Sequence, residues 1–224
     1  IPIFSVDVSL MIDSITGYIK INRFSATTVR EFKNALDKLN DHNLKNLILD
    51  FRDNPGGYLN AAASICDIFL EKGELIVFTE GRNREKNEII ATSKSSLKET
   101  NLVILINEGS ASASEIVAGA IQDNDRGIVI GRRSFGKGLV QEEINLKDGS
   151  AIRLTTQRYF TPAGRCIQKE YGINNKNYFM EQYQRVDSII PDSLKFKTRL
   201  GRTVYGGGGI NPDFIVNRDT ALSF

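Results

Sequence analysis

The chain has 224 residues, 41% hydrophobic and 25% charged, which suits one globular domain with a sizeable buried core and excludes a disordered tail. Its 29 basic and 27 acidic side chains leave a net charge of +2, mixed along the chain and too small to predict nucleic acid as a partner. Cys66 and Cys166 stand alone rather than in a CxxC pair, so no zinc or redox motif is formed, and the pattern gives a disulfide no support.

The opening IPIFSVDVSL lacks the basic-then-apolar layout of a signal peptide, and no apolar run reaches the roughly 18 residues of a membrane span. TGYIKINRF (residues 16–24) reads as a strand. In TTVREFKNALDKLN, Val29, Phe32, Ala35, Leu36 and Leu39 fall on one helix face. His42, the only histidine, comes next in a polar helix-to-strand connection and reads as a solvated loop residue. A hydrolase built on this chain therefore needs a general base other than histidine.

LKNLILDF is a continuous apolar run of strand length, expected to be buried on both faces. The turn RDNPGG leads into a helix over YLNAAASICDIFLEKG, closed by Gly73. ELIVFTEG and NEIIATS read as paired strands joined by the charged RNREK. A second cycle has the strand NLVILIN, the small-residue turn EGSASAS and the helix EIVAGAIQD. Then come the strands RGIVIGR, LVQEEINL and SAIRLTTQRYF, the last two joined through KDGS. Beyond Thr161 the chain is more polar and reads as an irregular wrap over the core (161–224). The class is mixed α/β, with no internal repeat and with chemistry expected at the two strand-turn-helix junctions.

GRRSFGKGLVQ (131–141) nearly spells a phosphate loop: Gly131, four residues, Gly136, Lys137. The next residue is Gly138, which has no hydroxyl for magnesium. The segment after it is patterned as strand rather than as the helix whose amides would cradle an anion. Nucleotide binding is therefore the weakest reading of Lys137, and a solvated turn lysine is the plain one.

LVILINEGSASASEIVAGAIQD has the layout of a nucleophile turn, in which small neighbours leave room for substrate and a helix N-terminus faces a developing oxyanion. Ser110, Ser112 and Ser114 compete for the role. Ser112 and Glu115 also spell an S-x-x-E capping box, which explains them without catalysis. With histidine nearly excluded, lysine is the remaining base of serine hydrolases. A free lysine has a pKa of about 10.4, so it would have to be desolvated in an apolar pocket. Gly136 and Gly138 would let its backbone approach the serine turn, with Phe135, Leu139 and Val140 as the dry wall.

Taken in order, LKNLILDFRDNPGG, INEGSASASEIVAGAIQD, GRRSFGKGLVQ, TPAGRCIQ and VYGGGGINPD resemble the catalytic core of the carboxyl-terminal processing (tail-specific) proteases of the S41 peptidase family. The resemblance implies a fold of the ClpP/crotonase-like ββα superhelix type and a serine endopeptidase with Ser112 as nucleophile and Lys137 as base. It also implies that Gln141 orients the lysine, sharing a strand face with it, and that Glu115 supports the site. The oxyanion hole would be the Ala113 amide with that of Gly56 or Gly57. No metal or cofactor is implied, and the partner is an extended polypeptide. The family's PDZ domain, which captures a substrate C-terminus, has no counterpart in this chain. The family's members are mostly periplasmic or cell-envelope proteins. The rival reading is a catalytically silent peptide-binding domain.

Overall fold

The computed structural model describes residues 4–40, 43–92, 97–170, 178 and 191–217. His42 lies outside them. The elements are β1 (Val6–Met11), β2 (Thr16–Ile21), α1 (Thr28–Asn40), β3 (Asn46–Asp50), α2 (Leu59–Phe69), β4 (Leu75–Gly81), β5 (Arg84–Ile90), β6 (Asn101–Ile106), α3 (Ala113–Asp123), β7 (Ile128–Gly131), β8 (Leu139–Asn145) and β9 (Ala151–Phe160). The short strands β10 (Lys195–Lys197), β11 (Thr203–Tyr205) and β12 (Phe214–Ile215) complete the order. The fold is mixed α/β.

The main sheet runs β1-β2-β3-β6-β7-β12, parallel from β2 onward, with β1 added antiparallel. Its central strands are apolar runs, as expected, but their burial alternates: Leu47 and Leu49 are fully buried while Ile48 is only half covered. One face of the sheet is core and the other is thinly covered. The predicted apolar face of α1 is realised, with Phe32, Ala35, Leu36 and Leu39 buried. α2 packs against α1 and α3.

Every residue of α3 is buried, because this helix lies between β7 and the second sheet, β5-β4-β9-β8, which it meets at β4. Burial on all sides explains its small-residue sequence, ASEIVAGAIQD. Its C-terminus is locked by a buried ion pair, Arg165 with Asp123 at 2.5 Å, which ties the TPAGR turn to the helix.

Two strands depart from the sequence reading. β1 forms where only the absence of a leader is read. β5 starts at Arg84, inside the supposed connection RNREK, because its side chains are nearly all exposed and charge there carries no burial penalty. β12 extends the main sheet on β7, and Val204 and Ile210 are buried nearby in sequence. Cys66 and Cys166 are both free thiols.

Candidate active site

The RDNPGG turn leaves β3 at Asp50, a fully buried carboxylate. Burial pushes the Asp50 carboxyl up, but the chelating Arg52 guanidinium and the Tyr18 hydroxyl, 2.6 Å away, hold it below its usual value. Asn54, also fully buried, donates from Nδ2 to Ile21 O and accepts the Gly56 amide on Oδ1. Gly57, at φ 145°, pairs with Phe24, and a Cβ there would stand 1.9 Å from Phe24 O. Only glycine fits.

The three serines of the second turn separate by environment. Ser110 is buried, donates to Phe51 O at 2.8 Å and accepts the Asn107 amide. Ser114 is buried and donates to Asn54 O at 3.0 Å. Both stitch the two turns together. Ser112 is half-exposed, at φ 56° and ψ −111°. For a non-glycine residue that conformation costs about 1–3 kcal/mol and is typical of functional turns. Its hydroxyl faces the Glu115 amide, one arm of a capping box whose other arm is the Glu115 carboxylate on the Ser112 amide. Gly56 presses on this residue: a Cβ at Gly56 would stand 2.8 Å from both Ser112 Cβ and Ala113 N.

Glu115 joins the turn to the lysine loop. Fully buried, its carboxylate accepts four donors: Ser112 N–H (2.7 Å) and Lys137 N–H (2.8 Å) on Oε2, Ser134 O–H (2.6 Å) and Gly136 N–H (2.7 Å) on Oε1. Burial pushes its carboxyl up, and the donors oppose that push. The capping-box arm from Glu115 to Ser112 is therefore one of four. The Phe135 amide, bonded to Ser110 O, is a further tie between loop and turn.

Of the two oxyanion candidates in NPGG, Gly56 is already engaged by Asn54. In the pairing with Phe24, Gly56 O and Tyr58 N–H face Phe24, so the Gly57 N–H projects to the opposite side. Ala113, first residue of α3, has an amide with no intrahelical acceptor.

Lys137 is placed differently from expectation. Its backbone is fixed by Glu115, yet its side chain is exposed and makes no hydrogen bond to Ser112 among the described residues. The expected dry wall is built elsewhere: Phe135 packs against Tyr178 and the buried Lys169, whose Nζ lies 4.4 Å from the Phe135 ring centroid. Gly136 and Gly138 admit not the serine turn but the segment Ile167–Lys169, with Lys169 N–H on Gly136 O and Gly138 N–H on Gln168 Oε1. Gln141 does not share a strand face with Lys137, because β8 begins at Leu139 and bulges between Val140 and Gln141. Instead Gln141 lines a cleft of about 430 Å³ with Phe24, Gly57, Tyr58, Glu143 and Arg153.

Two residues of this site have no sequence signal. Asn54 works through its backbone carbonyl and a local turn, and Ser134 through Glu115 and Ile210, whose amide donates to Ser134 Oγ at 2.6 Å.

The α/β scaffold thus brings a strained serine turn, a glycine turn and a lysine loop together. Residues 15–176 match the model of peptidase family S41. The chain belongs to that family. It is 43% identical over 159 residues to a carboxy-terminal-processing protease of Bartonella bacilliformis, covering 68% of this chain and 36% of the relative. It is 40% identical over 148 residues to the chloroplastic carboxyl-terminal-processing peptidase 3 of Arabidopsis thaliana, covering 66% and 28%. A Staphylococcus aureus relative named "Probable CtpA-like serine protease" is 39% identical over 184 residues, covering 81% and 36%. The chain thus spans roughly a third of the length of these relatives. Among solved structures, the photosystem II D1 C-terminal processing protease superposes with a TM-score of 0.72 at 26% identity, covering 97% of this chain and 49% of that one.

Proposed function

We propose that this chain carries the hydrolytic centre of a serine endopeptidase that cleaves extended polypeptides near their C-termini, with Ser112 as nucleophile and Lys137 as general base. The observation that carries the reading is the sorting of the serines: Ser110 and Ser114 donate to buried carbonyls, while Ser112 alone is half-exposed, strained and beside the Gly56–Gly57 turn. Ser112 Oγ attacks the scissile carbonyl as Lys137 Nζ takes its proton. The carbonyl oxygen, turning anionic, sits between the amides of Ala113 and Gly57 at the positive end of α3. Lys137 then returns the proton to the leaving amine, and water resolves the acyl-enzyme. The exposed Lys137 side chain requires a further step: substrate lying in the Tyr58–Gln141 cleft covers it and excludes water from the amine as the proton is transferred. Gln141, at the edge of that cleft, orients the amine. Several of the named relatives are C-terminal processing proteases, and on that likeness the substrate here is a protein whose C-terminal end is removed; the cell envelope is our reading of where this chain acts.

The test is cleavage of an unfolded, C-terminally tagged polypeptide by the wild type, Ser112→Ala and Lys137→Ala. Cleavage lost in both variants is the expected result. One observation favours a second reading, a peptide-binding module without activity: the missing hydrogen bond between Lys137 and Ser112. Saturable peptide binding without cleavage at any pH would establish that reading instead.

A further inference from the structure

The loop that carries Lys137 is fixed from three sides. Glu115 of α3 binds its amides at Gly136 and Lys137. Lys169 N–H bonds to Gly136 O. The third side is the tetraglycine segment: Ser134 N–H donates to Ile210 O, and Ser134 Oγ accepts the Ile210 amide. Arg133 Nε donates to Gly208 O at 2.7 Å. Gly209, at φ 78°, lies so close that a Cβ would stand 2.5 Å from Ser134 O.

Among the described residues, Ser134 is the side chain that bonds both Ile210, directly after the four glycines, and the Glu115 carboxylate, at 2.6 Å each. Its single proton goes to Glu115, because the Ile210 N–H can only donate to the hydroxyl while the carboxylate can only accept from it. The four groups around Glu115 are then all donors, which a carboxylate satisfies and a carboxylic acid does not. We propose that Ser134 is a positioning residue: through Glu115 it sets the lysine loop against the nucleophile turn and keeps that carboxylate ionised, so that the C-terminal glycine segment forms part of the catalytic apparatus. This role rests on the function proposed for the chain, with Ser112 as nucleophile and Lys137 as base. Among the described residues, the other charged groups on the segments packed around Glu115 are Lys137, Arg133 and the Arg132–Glu108 ion pair on the loop and serine turn, Asp53 on the glycine turn and Lys169 beside the loop.

The experiment measures kcat, KM, pH profile and Tm for the wild type, Ser134→Ala and Ser134→Thr, with Ser112→Ala as control. Removing one buried hydrogen bond from a carboxylate predicts a fall in kcat of about tenfold in Ser134→Ala with KM little changed. Its acid limb should move to higher pH, since Glu115 loses a donor that favours its anion. Ser134→Thr, which keeps the hydroxyl, should restore the limb. Wild-type kcat and limb in Ser134→Ala would overturn the inference alone. So would a loss of kcat with an unmoved limb, which marks simple packing. A wild type whose cleavage is absent or survives Ser112→Ala would instead sink the underlying reading, and the inference with it.

Discussion

Ser112 and Lys137 donate their backbone amides to the same oxygen, Glu115 Oε2, at 2.7 and 2.8 Å. The serine turn and the lysine loop, whose residues 112 and 137 stand 25 positions apart in the chain, are therefore registered through one atom. Glu115→Gln tests this. An amide offers one acceptor oxygen and turns an NH2 toward two of the four donors, leaving buried donors unpaired at about 1–3 kcal/mol each. Loss of activity of at least tenfold, with Tm lowered, is expected from peptide cleavage and thermal melts.

The serine turn predicts a three-way contrast. Ser112→Ala should abolish cleavage and cost about 0.5–2 kcal/mol of stability, the loss of an N-cap hydroxyl. Ser110→Ala should keep cleavage but cost about 1–3 kcal/mol in urea unfolding, because it leaves the Asn107 N–H without its acceptor, and Ser114→Ala should cost about 0.5–1.5 kcal/mol, because Asn54 O keeps the Ala111 N–H as a donor.

Gly57→Ala should destroy the glycine turn, because its Cβ would stand 1.9 Å from Phe24 O. Displacing an oxyanion donor costs about 10²–10³ in kcat. A variant that turns over normally would remove Gly57 from the oxyanion hole.

Acid should separate activity from folding. The Glu115 carboxyl is raised by burial, so its contribution to stability is fully present below its ordinary value of 4.5 and is lost as pH rises through the raised one. Protonating it does not unfold the protein, but it removes an acceptor from the Ser112–Lys137 register. Asp50 has the opposite sign: held below its ordinary 3.8, it stabilises above that value and the contribution is lost as pH falls through the lowered one. Activity should thus fall at a higher pH than the near-UV circular dichroism signal, and Asp50→Asn should flatten only the unfolding limb.

Local signals in the sequence carried far. The spacing of Phe32, Ala35, Leu36 and Leu39 announced α1, and the apolar runs announced β3 and β6, since each reports burial that the element itself imposes. The residues Ser112, Glu115 and Lys137 stand out in the sequence, and the fold brings their segments together through the Glu115 carboxylate. The features that stayed hidden depend on distant partners. Phe135 sits close to Lys137 in the chain but turns its ring to Lys169 and Tyr178. Ser134 looks like any loop serine until Ile210, 76 residues on, is placed against it. The bulge after Val140 removed the simple alternation that would have aligned Gln141 with Lys137.

Whether Ser112 is a nucleophile activated by Lys137 is decided by labelling the protein with a fluorophosphonate in the presence of a peptide substrate mimic, with the modified residue located by mass spectrometry. A single adduct on Ser112 Oγ is expected, with a labelling rate that rises with pH and collapses in Lys137→Ala. Labelling of Ser110 or Ser114, or a rate on Ser112 that is unchanged in Lys137→Ala, would contradict that assignment.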